Sequence, residues 1–324
     1  MRELSMQRAI NEALHEEMKR DETVFVMGED VGKYGGHLEV TKDLFERFGA
    51  ERAIDTPISE AAIAGSAVGA AIGGMKPVAE IQHIDFITIA LDAIVNHAAV
   101  LPYAYGGQIR VPMVIRTQGG SSTVGAQHCK SLEAWLVHVP GLKVVMPSTP
   151  YDAKGLMKSS IRDPNPVVFI EHKLTYRYKG GVPEGEYLVE LGKADIKRPG
   201  GDVTVVATSR MVHESLAAAE ELQKEGIEVE VVDPCTLVPL DIDAILGSVR
   251  KTGRLIVVHE GWTRGGFGSE VVSKVCEMGL GLLKAPPLRL GAADVPPPYS
   301  PALERISIPS RESIARAARA MMAG

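Results

Sequence analysis

The sequence predicts an α/β protein made of two parallel-sheet domains. Three observations predict it. Short segments such as "TVFVM", "KPVAEI" and "RLIVVHE" are apolar almost throughout, as strands are when both faces of a sheet are covered. Segments with helical spacing of apolar residues lie between them. One stretch breaks this rhythm: residues 173–202, "KLTYRYKGGVPEGEYLVELGKADIKRPGGD", are dense in Gly, Pro and charge. The expected division is a domain over 1–180, a linker over 181–202 and a second domain over 203–324.

Taken in order, Ser5 caps a helix over 5–20, with Met6, Ile10, Ala13, Leu14 and Met18 on one face. A strand at 23–27 follows, then a helix at 42–48, a strand at 52–56 and a helix from about 59 to 74. The strand 76–81 precedes a long helix over about 86–100. A strand at 111–116 runs into a Gly/Ser loop. The strand 142–146, a helix at 150–162 and a strand at 166–171 complete the first set. The second set has strands at 203–207, 227–233, 254–260 and 287–290. Its helices lie near 210–225, at 241–250, behind "GGFGSE" and behind Ser310.

The chain has 324 residues, 45% of them hydrophobic and 23% charged, enough to bury two cores. A net charge of −6 without any basic block argues against nucleic-acid binding. Cys129, Cys235 and Cys276 are widely separated, which suits a reducing compartment and no zinc site. Charges throughout the first 22 residues do not fit a signal peptide. The longest apolar run, 61–75, is short for a membrane span. The expectation is a soluble cytoplasmic protein with no membrane partner.

Ligands of open parallel sheets bind beyond the carboxyl ends of the strands. Four such ends carry polar residues: Glu29 and Asp30, then Ser59 and Glu60, then Gln82, His83 and Asp85, and the loop "TQGGSSTVGAQHCKS" with His128. Each has a plain local reading. Glu60 opens a helix, where a carboxylate gains ~0.3–1 kcal/mol from the dipole. Glu29-Asp30 reads as a solvated turn, and a lone loop histidine is usually a surface residue. His97 and His138 read as structural, and His259-Glu260 as a weak candidate. Gly65, Gly69 and Gly73 recur at four-residue spacing, which suits close helix packing within the domain or between subunits. "RGGFGSE" lacks a full dinucleotide fingerprint and reads as a turn into a helix.

The motifs "VMGEDVGKYGG", "DTPISEAAIAGSAVGAAIGG", "KPVAEIQHIDF", "GAQHCKSLEAW", "GLKVVMPSTPYDAKGLMKSSIRDPNPVVFIE" and "VEVVDPCTLVPLD" occur in this order. Together they resemble the β subunits of thiamine diphosphate-dependent 2-oxo acid dehydrogenases: the pyruvate, branched-chain and acetoin first components. The resemblance spans essentially the whole chain. It implies a transketolase-like pyrimidine-binding domain followed by a transketolase C-terminal-like domain. It also implies an α subunit in a heterotetramer of two α and two β chains, and a lipoylated dihydrolipoyl acyltransferase that receives an acyl group. In this family a Gly-Asp-Gly motif on the α subunit holds Mg2+ and the diphosphate, and no Gly-Asp-Gly occurs here.

The resemblance assigns Glu60 to the aminopyrimidine nitrogen, where a carboxylate favours the imino tautomer that removes the thiazolium proton. It places Glu29, Ile58, Ser59 and Phe86 around the pyrimidine and Gln82 near the substrate. His128 matches the active-site histidine of acyl transfer. Met113, Ser160, Ile161, Asp163 and Asn165 match positions that hold potassium in some relatives. An apolar setting is expected to raise the pKa of Glu60. The implied activity is decarboxylation of a small 2-oxo acid, pyruvate foremost. Acetoin cleavage and a non-catalytic assembly subunit are the alternatives. Departures from the family pattern are Cys129-Lys130 after His128, Ala99-Val100-Leu101-Pro102, and His83 beside Gln82. Lys130 is expected to face solvent.

Overall fold

The computed structural model describes residues 1–323. They form two compact units: Met1–Gly119 with Trp135–Leu191, and Gly120–Ala134 with the chain from Gly192 onward. The loop bearing His128 thus belongs to the second unit, although it lies in the sequence of the first.

In the first unit, β1 (Arg2–Ser5) leads into α1 (Met6–Arg20), which Ser5 caps by accepting the N–H of Arg8. There follow β2 (Val24–Gly28), α2 (Leu44–Phe48), β3 (Ala53–Asp55), α3 (Glu60–Ile72) and β4 (Lys76–His83). Next come α4 (Ile87–Leu91), a π-helical segment Asp92–Ala98, and α5 (Leu101–Ala104). β5 (Val114–Gly119), α6 (Glu133–Val137), β6 (Lys143–Val145), α7 (Pro150–Arg162), β7 (Val167–His172) and β8 (Lys179–Val182) complete it.

The strands run parallel in the order β6-β7-β5-β4-β2-β3. They are mostly apolar because helices cover both faces; Val24–Gly28 and Val114–Gly119 are buried throughout, the polar Arg116, Thr117 and Gln118 included. β1 pairs antiparallel with β8, so residues 181–202 are not a plain linker. Val182 ends β8, and Asp195 begins another strand.

The long helix expected over 86–100 is present within a helical stretch Ile84–Ala104, but its middle, Asp92–Ala98, is π-helical. Residues Ile84–Ala104 exceed the 61–75 run in length. By length and composition they could cross a membrane, with mean hydropathy 1.6. Here they lie against α3.

α3 buries Ile63, Ala64, Ala67, Val68 and Ala71. Its glycines do not serve packing within the chain. A Cβ at Gly65 or Gly69 would meet nothing within 4 Å, and Gly73 is the C-cap.

The second unit contains β9 (Asp195–Arg198), β10 (Val203–Ala207), α8 (Arg210–Gln223), β11 (Val229–Asp233) and β12 (Thr236–Val238). α9 (Ile242–Thr252), β13 (Leu255–Trp262), α10 (Phe267–Gly279), β14 (Leu288–Ala292), α11 (Pro301–Ser307) and α12 (Arg311–Ala323) follow. A sheet of order β14-β13-β10-β11-β9 is parallel except at the edge strand β9. Val205, Ile256, Val258, Met211, Leu222 and Ile314 pack its core. At α12, Ser310 and Ser313 cap each other's backbone N–H groups, as the sequence predicts.

Candidate active site

The first unit gathers acids at the carboxyl edge of β2, β3 and β4. Glu29 leaves the end of β2, and Gly28 before it has no room for a side chain. A Cβ there would lie 2.8 Å from the carbonyl oxygen of Glu80, at φ +154°. Glu60 opens α3 with its side chain buried, 7% exposed. It therefore combines dipole stabilisation with burial, which a solvated helix-start acid does not have. Burial, then the charges of Glu60 and Asp30, raise the proton affinity of Glu29.

Gln82 sits at a bulge in β4, where the pairing with β5 slips between Ile81 and His83. The bulge turns its amide toward the carbonyl of Glu29, at 3.5 Å. His83 and Phe86 face each other edge to face at 5.9 Å, and His37 lies 5.8 Å from His83. Ser59 is half-buried before Glu60, and its side chain accepts no capping hydrogen bond from α3. Ile58 is 81% exposed, so this chain alone builds no apolar wall there.

A buried carboxylate beside a second acid of raised proton affinity, with an aromatic ring and an amide at the same edge, fits a heteroaromatic base such as an aminopyrimidine.

His128 lies in the second unit, on a loop tied to its own ends. Its N–H donates to the carbonyl of Gly125 at 3.1 Å, and the Gly120 N–H to the carbonyl of Lys130 at 3.0 Å. Contrary to expectation, Lys130 folds back, and its ammonium donates to the Ala126 carbonyl at 2.5 Å. Cys129 is buried, with its sulfur 3.6 Å from the Ser122 hydroxyl.

The potassium set is largely committed within the chain. The Asp163 carboxylate takes an ion pair from Lys143 and both N–H donors of Asn165. The Ser160 hydroxyl donates to the Leu156 carbonyl, and the Met113 carbonyl accepts from Val167. Ile161 is a buried core residue. No step below passes through potassium.

Sequence reading assembled neither of two polar clusters, although it noted His259-Glu260 as a weak candidate. Arg116 on β5 donates from Nε and Nη2 to both oxygens of Glu171 at 2.6 and 2.8 Å, and from Nη1 to Glu80. Tyr176 donates to Glu171. Against the cost of burial, Glu171 and Glu80 hold the guanidinium charged. Burial pushes Glu80 up. The other cluster is Glu133, pushed up to about 7 by burial and then by Glu260, beside fully buried His259, pushed down to about 4 by burial and then Arg289. Their nearest atoms are 3.9 Å apart. The apolar context of strands β5 and β13 was the only signal that these residues are interior.

The model of the transketolase pyrimidine-binding domain matches residues 2–179, and that of the transketolase C-terminal domain matches residues 192–314. The chain is 46% identical to the β subunit of the acetoin:2,6-dichlorophenolindophenol oxidoreductase of Cupriavidus necator, covering 100% of this chain and 98% of the relative. It is 46% identical to the 2-oxoisovalerate dehydrogenase subunit β of Bacillus subtilis, over 96% of both. It is 43% identical to the pyruvate dehydrogenase E1 component subunit β of Gracilaria tenuistipitata var. liui, over 99% and 100%. A solved "split gene transketolase, inactive beta4 tetramer" shares the fold, with TM-score 0.80 and 24% identity over 99% of this chain and 98% of that one.

Proposed function

The chain belongs to the β subunits of 2-oxo acid dehydrogenase first components, and on that footing we propose that it is the β half of an enzyme that decarboxylates a small 2-oxo acid, pyruvate first, and passes the acyl group to a lipoylated acyltransferase. The family depends in general on thiamine diphosphate, and its β subunits work with an α subunit. The observation that carries the reading is the buried Glu60 carboxylate facing Glu29 at the carboxyl edge of the first unit's sheet.

Thiamine diphosphate, when bound, supplies the electron sink for loss of the substrate carboxylate. The chain's own residues would do the following. Glu60 holds a proton against the pyrimidine ring nitrogen and returns it. Glu29, whose proton affinity is raised by burial and then by the charges of Glu60 and Asp30, stands as a second acid beside Glu60. Gln82, aimed by the bulge, offers an amide to a carbonyl or carboxylate. His128 exchanges a proton with the acyl acceptor. Mg2+ and the diphosphate would be held by the α subunit, since Gly-Asp-Gly is absent from this sequence. The outward Gly65/Gly69 face of α3 suits close approach of another subunit.

Acetoin is the second substrate reading, favoured by the full-length match to an acetoin-type β subunit. Co-production with an α-type chain carrying Gly-Asp-Gly, followed by turnover of pyruvate, branched-chain 2-oxo acids and acetoin with an artificial electron acceptor, separates the substrates. Thiamine diphosphate binding without turnover of any of them sinks the enzyme readings in favour of an assembly role.

A further inference from the structure

We propose that Glu260 and Glu304 are positioning residues for His128: two buried carboxylates of the second unit grip the backbone of the loop that carries it. This rests on His128 being the acid–base group proposed above.

The loop 120–132 has no regular structure of its own, so its shape depends on bonds made to the surrounding fold. Glu260, in β13, accepts the Ser121 N–H through Oε2 at 2.9 Å, while Oε1 takes Arg210 at 3.1 Å. Its side chain is 5% exposed. Glu304, in α11, accepts the Thr123 N–H at 2.8 Å across 181 positions of sequence and is 7% exposed. Thr123 has φ +60°, which a non-glycine residue adopts only where its surroundings impose it. Between these ties and His128, Gly125 at φ +84° lies under the Tyr299 ring, where any Cβ would collide.

Backbone N–H bonds to carboxylates are roughly twice as strong as neutral ones, and strongest when water is excluded. Two of them, from separate elements, fix the approach of the loop. The Gly125–His128 turn and the Lys130–Ala126 bond then set the histidine's own turn. A surface ion pair or helix-start charge would not aim a buried carboxylate at a distant loop amide. Both acids reach the histidine through the loop backbone, at Ser121 and Thr123.

The test uses the assembled α/β enzyme with Glu304→Ala, Glu304→Gln, Glu260→Gln and His128→Ala. Acyl transfer to a lipoyl domain and decarboxylation with an artificial acceptor are measured separately. Hydrogen exchange is followed over residues 120–134. Glu304→Ala is expected to slow acyl transfer at least tenfold, leave decarboxylation within twofold, and speed exchange of the loop amides about tenfold. Glu304→Gln and Glu260→Gln, which keep an acceptor oxygen, should recover most of both. In the His128→Ala background, Glu304→Ala should add nothing. A further multiplicative loss there would mark Glu304 as merely structural and overturn the proposal. So would unchanged loop exchange. If His128→Ala alone leaves acyl transfer intact, the site reading fails first and carries the proposal with it. If His128→Ala is deleterious and Glu304→Ala is not, only the proposal fails.

Discussion

Arg116 and Glu171 meet as a two-pronged pair, Nε to Oε1 at 2.6 Å and Nη2 to Oε2 at 2.8 Å, with side chains 3% and 0% exposed. Glu80 completes the arrangement on the guanidinium's other edge. The pair links β5 to β7, and Glu80 links both to β4, three neighbouring strands of the sheet whose edge carries Glu29 and Gln82.

Removing one partner of such a cluster leaves an uncompensated buried charge. Arg116→Met is therefore expected to cost about 3–5 kcal/mol in chemical denaturation. Adding Glu80→Gln and Glu171→Gln should recover much of it. A loss under about 1 kcal/mol for Arg116→Met would show that the cluster contributes little to stability.

Glu60→Gln should abolish exchange of the C2 proton of bound thiamine diphosphate while leaving subunit assembly intact. Glu29→Gln removes the partner charge without removing the acid, so its expected effect is smaller, a shift of the acid limb of the activity profile. Because the proton affinity of Glu29 is raised, its titration lies on the neutral side of an ordinary glutamate's. Unchanged exchange in Glu60→Gln would overturn the role given to this carboxyl.

Glu133 and His259 bring opposite pH dependences. Glu133 is raised from 4.5 to about 7, so its contribution to stability is full below 4.5 and lost as pH rises through 7. His259 is lowered from 6.5 to about 4, so its contribution is present above 6.5 and lost as pH falls through 4. Over this window the two offset each other. Glu133→Gln should gain stability as pH rises from 4 to 6.5, and His259→Phe should lose it as pH rises from 4.5 to 7. A shift of either size is worth about 3 kcal/mol as an upper order of magnitude. Parallel urea-midpoint curves for the two variants would contradict this.

Gly65→Leu or Gly69→Leu adds a side chain on an open face of α3. The isolated chain should keep its circular dichroism and denaturation midpoint. Assembly with the α-type subunit, followed by sedimentation, should weaken at least tenfold. Wild-type assembly in both variants would place the subunit contact elsewhere.

Much of the fold was legible from apolar runs and caps: Ser5 before α1, Ser310 before α12, and the largely apolar runs of β10 and β7 are all local signals. The π-helical segment Asp92–Ala98 was not legible, because apolar spacing marks a helix without saying which backbone carbonyl each N–H reaches. The antiparallel pairing of β1 with β8 was hidden, since a four-residue edge pair has no pattern of its own.

The sequence by itself determined the two α/β sets, the acids at the strand ends and, through its ordered motifs, the family. Tertiary structure decided which acids are buried and what they face. Glu60 resembled any helix-start acid until burial set it beside Glu29. Lys130 resembled a solvent-facing cation until it closed on Ala126. His128 lies within the first run of strands, yet its loop belongs to the second unit, held by carboxylates more than 130 positions away. Burial, charge pairing and long-range hydrogen bonds arise only when distant segments meet, so local patterns could not carry them.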